Sequence, residues 1–142
     1  MFGDCYRTCV AVILGVDACE VPHVCEKGWK NVNDLDGVHA MREFLAGRGL
    51  GISKSVFNGD LSWQAFQKWM AQFNPNIPLI VTAMGGRGVN HCVVMVGGEV
   101  VCDPHTGKPN PEPFSGPAET PEDVPLWWVE VIAPTTQQKK EE

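Results

Sequence analysis

Two runs of β-branched and apolar residues meet at a pair of glycines: Asn90-His91-Cys92-Val93-Val94-Met95-Val96, then Gly97-Gly98, then Glu99-Val100-Val101-Cys102-Asp103. β-Branched side chains suit a pleated strand, and glycines enter a two-residue turn with positive φ at no steric cost. The segment therefore predicts an antiparallel β-hairpin. Val96 pairs with Glu99, and continuing outward sets His91 opposite a residue just past Asp103. Both polar side chains then emerge at the open end of the hairpin, with His105 close behind. Cross-strand and diagonal neighbours lie within about 5 to 8 Å, a gap that a histidine–aspartate hydrogen bond spans. Such a bond fixes the imidazole tautomer and leaves the other ring nitrogen free. The alternative is that His91 and Asp103 merely cap strand ends.

A thiol at the mouth of an apolar helix is the natural partner for that nitrogen. In Gly3-Asp4-Cys5-Tyr6-Arg7-Thr8-Cys9-Val10-Ala11-Val12-Ile13-Leu14-Gly15, Asp4 is of N-cap type, Val10, Val12, Ile13 and Leu14 supply an apolar face, and Gly15 suits a left-handed C-cap. Cys5 then sits in the first turn, where free N–H groups point outward. A helix N-terminus and a nearby imidazolium both depress a thiol's pKa, from roughly 8.5 to between about 3.5 and 7.5. The same N–H groups can hold an oxyanion when a carbonyl is attacked. Cys5, His91 and Asp103 thus supply a nucleophile, a base and an orienting carboxylate. Otherwise Cys5 is one more small apolar residue of a cysteine-rich helix.

Gly3-Asp4-Cys5, Cys9-Val10-Ala11-Val12-Ile13-Leu14-Gly15, Glu20-Val21-Pro22, Asn90-His91-Cys92-Val93-Val94 and Val101-Cys102-Asp103-Pro104-His105 together resemble the small papain-like cysteine peptidases. Closest in pattern are the peptidase domains of bacteriocin exporters and related short phage and bacterial proteins. The resemblance runs to about Trp128 and implies an α+β, papain-like fold with N-terminal helices packed on a small antiparallel sheet. It implies that Cys5 opens the first long helix as nucleophile, His91 begins a strand, and Asp103 follows on the next. That family places a Gln several residues before the cysteine as an oxyanion donor. None of Met1 to Asp4 is Gln, which leaves another donor, residues upstream of this numbering, or a protein that does not cleave amides.

Composition narrows the classes further. The 142 residues suit one domain, and with 44% hydrophobic and 20% charged residues the chain can bury a core. Eleven basic against 17 acidic residues, net −6, offer no field for nucleic-acid phosphates. No apolar stretch has the length of a membrane span or the basic flank of a signal peptide, so a cytoplasmic location is expected. That setting also argues against a disulfide framework for the six cysteines. Zinc held by Cys5, Cys9, Cys19, His23 and Cys25 is the rival reading, but the spacing lacks a Cys-x2-Cys knuckle. No cofactor or metal is expected, and Cys9, Cys19 and Cys92 are expected to be buried small residues.

Elsewhere a helix is expected from Asp34 to Ala46 with His39 partly exposed, a short strand from Ile52 to Phe57, and a second helix from Leu61 to Phe73 with Trp63, Phe66, Trp69 and Met70 inward. A buried strand spans Pro78 to Met84, and the flexible Gly85-Gly86-Arg87-Gly88 loop leads to His91. Pro104 to Pro125 reads as one long loop, and Trp127 to Ile132 as a final strand. Residues 1–133 form one domain and 134–142 a polar, disordered tail. The expected function is that of a cysteine hydrolase, a peptidase or isopeptidase acting on a protein or peptide substrate through an acyl-enzyme. The alternatives are a papain-like binding module without turnover and a small zinc-stabilised interaction domain.

Overall fold

A computed structural model describes residues 4–23, 36–120 and 123–136. Its elements in chain order are α1 (Asp4–Leu14), a 3-10 turn (Ala18–Glu20), α2 (Asp36–Ala46), β1 (Leu50–Asn58), α3 (Trp63–Phe73), β2 (Leu79–Gly85), β3 (Asn90–Val96), β4 (Glu99–Cys102), β5 (Phe114–Gly116) and β6 (Leu126–Pro134). The strands form one six-stranded sheet in the order β1-β6-β2-β3-β4, with β5 pairing to β2, and each pairing is antiparallel. The chain is therefore an α+β domain.

Alternation along the central strands produces two cores. Leu79, Val81 and Ala83 of β2 and Val93 and Met95 of β3 join Phe66 and Met70 of α3 and Trp127 of β6 on one face. Ile80, Cys92 and Val94 face the other way, against Cys9 and Val10 of α1 and Met41 and Leu45 of α2. The helices thus cover both faces, not only the one covered by the N-terminal pair. Phe66 is fully buried and stacks on Trp63 and Trp127 at centroid distances of 5.8 and 5.5 Å. Phe66→Ala is expected to cost about 3 to 5 kcal/mol, seen as a lower urea midpoint with an unchanged slope.

The expected Gly97-Gly98 hairpin forms, with φ of 61° and 81° at the two glycines. A Cβ on Gly98 would lie 2.5 Å from the Gln67 carbonyl, so the turn can seat on α3 only with glycine there. Other boundaries differ. β1 runs nine residues instead of six because it pairs with β6 along its whole length. β6 reaches Pro134, and Thr135 still donates its N–H to the Gly49 carbonyl at 2.9 Å, so order extends past residue 133; residues 137–142 lie outside the described ones. The Pro104–Pro125 segment is not one loop, since β5 adds to β2 and Ala118 bridges Leu126. Trp69 is 51% exposed and packs on Phe73 instead of pointing inward; at 3.6 residues per turn it falls off the stripe of Trp63, Phe66 and Met70. Cys19 is also exposed, on the 3-10 turn where Asp17 caps its N–H, while Cys9 and Cys92 are buried as expected. His39 is exposed on α2.

Candidate active site

Cys5 lies in the first turn of α1, and Asp4 begins the helix instead of preceding it as a cap. The helix is tied down beside Cys5. The Tyr6 hydroxyl donates to Glu130, a buried carboxylate of β6 whose other oxygen is 3.6 Å from Lys54 Nζ on β1. Burial first, then the Glu130 charge, pushes the Tyr6 phenol far above its ordinary range, so it stays a donor. The adjacent Arg7 donates its Nε to the Val21 carbonyl at 2.8 Å. Asp4, whose charge opposes a thiolate at Cys5, is 3.6 Å from Arg7 Nη1 and 3.4 Å from His23 Nε2.

His91 is the second residue of β3, directly across from the small Ala83 on β2. Its Nε2 meets Asp103 Oδ1 at 2.6 Å. An ionised carboxylate only accepts, so Nε2 carries the proton and Nδ1 is left for the thiol. Asp103 is almost fully buried and is held by three donors. Besides His91, Oδ1 accepts the His105 N–H at 3.0 Å and Oδ2 accepts Asn110 Nδ2 at 2.9 Å. Burial alone would raise the carboxyl pKa, but these bonds, Asn110 first, then His105 and His91, hold it below its ordinary value. The Phe114 ring stands 6.2 Å from the imidazole centroid and walls one side of it.

A β-bulge makes this pairing possible. Val96 faces Glu99 and Met95 faces Val100, but Val94 faces Cys102, leaving Val101 as an extra residue. In an unbulged ladder Asp103 would face Cys92 and point toward α1. The one-residue shift transfers it to the face shared by His91 and Val93.

The thiol itself is strongly perturbed. Cys5 is lowered from 9.0 to about 4, first by a hydrogen bond from the Cys92 side chain, against burial, then by His91, by the Cys92 backbone N–H and by the imidazole charge. Cys92 moves the other way, well above 9.0, because it donates to Cys5 and is buried; its sulfur also lies 3.2 Å from Thr82 Oγ1. His91 is pulled down by burial, yet hydrogen bonds and charge from Cys5 and Asp103 leave it raised above 6.5. At neutral pH these directions give a thiolate–imidazolium pair at a helix N-terminus. The pair opens on a cleft of about 790 Å³ walled by the first turns of α1, the β2–β3 connection and the segment after β4.

The three sequence-predicted residues Cys5, His91 and Asp103 are therefore brought together. Two contributors were not singled out by the sequence: Asn110, which carries no periodic signal, and Cys92, which reads as a core residue. Among the described residues no three His, Cys, Asp or Glu side chains are grouped to hold a metal ion; of the zinc rivals, Cys25 lies outside those residues and Cys19 is exposed. Among them, too, no helix is long and apolar enough to cross a membrane. No family model, curated protein or solved structure matches the chain.

Proposed function

We propose that the protein is a cysteine hydrolase of papain-like character, a peptidase or isopeptidase. The observation that carries this reading is the Cys5–His91–Asp103 constellation, with the carboxylate bonded to Nε2 at 2.6 Å and the thiol held at about 4. Cys5 attacks the carbonyl carbon and the carbon–oxygen π electrons move to oxygen. The amide of Cys5, at the N-terminus of α1, supplies at least half of the oxyanion hole. His91 gives its proton to the departing amine as the carbon–nitrogen bond breaks, leaving a thioester on Cys5. Water, deprotonated by His91, attacks the thioester and releases the acid. Asp103 is the positioning residue that keeps Nδ1 aimed at the reacting groups.

This reading gives a pH window. Activity rises as Cys5 ionises around pH 4 and falls as His91 loses its proton above 6.5, so the expected profile is a bell whose limbs belong to the coupled pair. The test is digestion of a diverse peptide library, with new termini identified by mass spectrometry. Termini formed by the wild type and absent with Cys5→Ala support a peptidase; identical profiles overturn it.

A further inference from the structure

We infer that Asn90 is a catalytic residue whose side-chain amide completes the oxyanion hole; the inference rests on the hydrolase reading above. Side chains of β3 alternate between two faces. His91, Val93 and Met95 point toward the α3 side, where Val93 and Met95 join that core, while Cys92 and Val94 pack against α1. Asn90 has the parity of Cys92 and Val94, so it belongs to the α1 face. Cys5 packs against the same buried cluster that holds Cys92. One pleat further toward the open end of the strand, about 7 Å on, is Asn90. From that position on the α1 face the side-chain amide can share an oxyanion with the Cys5 N–H in the cleft that both residues line. Asn90 is exposed and lines the same cleft as Cys5.

The other polar side chains of the cleft are mostly spent. Thr8 Oγ1 donates to the Asp4 carbonyl at 2.9 Å, Asn110 Nδ2 to Asp103 at 2.9 Å, and His91 Nε2 is bonded to Asp103. His105 follows Asp103, with its ring 6.5 Å from that of His91, and Arg87 sits on the Gly85-to-Gly88 loop, off the strand that carries Asn90. Asn90 makes no side-chain hydrogen bond among the described residues, so its two N–H donors are available to an oxygen that becomes negative. A neutral amide also adds no competing acid or cation beside the thiolate–imidazolium pair. Its bond to the oxygen strengthens as the carbonyl becomes tetrahedral, which places its effect on the chemical step and not on binding.

The experiment compares two reactions of the same thiol in wild type, Asn90→Ala and Asn90→Asp. p-Nitrophenyl acetate acylates Cys5 through a tetrahedral oxyanion: the sulfur–carbon bond forms, p-nitrophenolate leaves, and Cys5 carries an acetyl thioester. Iodoacetamide alkylates Cys5 at a saturated carbon, expels iodide and forms no oxyanion. Both rates are read at Cys5 by mass spectrometry. Acylation is expected to fall tenfold to a hundredfold or more in Asn90→Ala and at least as far in Asn90→Asp, where an acceptor replaces the donor, with alkylation within twofold of wild type. Equal acylation in wild type and Asn90→Ala overturns the assignment. Parallel loss of acylation and alkylation overturns it as well, since Asn90 would then act on the thiol or the fold. Wild-type acylation no faster than that of a free thiol of matched ionisation overturns the hydrolase reading itself, a result distinct from the other two.

Discussion

Replacing His91 with alanine is expected to lower turnover by about 10⁴-fold or more, because in the proposed mechanism the imidazole both pairs with the thiolate and carries the proton in each half of the reaction. The same substitution separates the sources of the low Cys5 pKa. In the wild type, at about 4, the thiol is already ionised at pH 6, so its alkylation by iodoacetamide should be nearly flat from pH 6 to 8. Removing His91 takes away one hydrogen bond and one positive charge, and the pKa rises. The largest lowering influence, the Cys92 side chain, remains, as do the Cys92 N–H and the helix N-terminus. Alkylation in His91→Ala should therefore climb with pH over that range, yet Cys5 should stay more acidic than the exposed Cys19, which lies beside the carboxylate of Asp17 and is raised. Mass spectrometry resolves the two sites in one sample. An identical pH dependence with and without His91 would mean that the imidazole does not govern the thiol, and the proposed chemistry would fail with it.

The hairpin that carries His91 was legible because it rests on local rules: β-branched runs at period two, and two glycines where positive φ is required. The juxtaposition of His91 and Asp103 was legible only in outline. A regular register predicts them at one end of the hairpin but on opposite faces, and the bulge at Val101 corrects the face. Nothing in Val100-Val101-Cys102 announces a bulge; it is selected by packing, since Val100 fills the α3-side core while Cys102 packs on the α1 side. β5 was invisible for a related reason. Phe114, Ser115 and Gly116 sit among prolines and have no periodicity, and they become a strand because β2 extends past β6 and offers Met84 and Gly85 as partners. Trp69 shows the limit of composition, since a large aromatic on an amphipathic helix is read as core unless its angle is checked against the stripe. Asn110 needed the tertiary fold, because its role exists only after the loop beyond β4 folds back on Asp103.

That fold-back makes Asp103→Asn a demanding test of the site. The introduced amide keeps an oxygen for His91 Nε2 and the His105 N–H, but turns an N–H2 toward Asn110 Nδ2, which now donates to Asp103 Oδ2 at 2.9 Å. Two donors would face one another. Asn110 cannot simply rotate its amide, because its Oδ1 already accepts the Glu112 N–H at 3.1 Å. Relieving that clash turns the introduced amide over and sets its N–H2 against Nε2, which favours the wrong imidazole tautomer; with the ring's charge also uncompensated, the rate of Cys5 acylation should fall on the order of 10²- to 10⁴-fold. Asn110→Asp alone sets two carboxylates against each other, so one must retain a proton, and the lowered pKa of Asp103 is lost. Combining the two substitutions restores one donor and one acceptor at the contact, and the new carboxylate can still accept from Glu112. The double variant should therefore recover most of the lost acylation rate. Its alkaline limb should move to lower pH, because the negative charge that raises His91 has retreated from the ring by one side chain. Measured over pH 5 to 9 on all three variants, additive losses without recovery would show that Asn110 merely fills space beside Asp103; recovery with a shifted limb would show that the network positions the base and sets its proton affinity as two separable contributions.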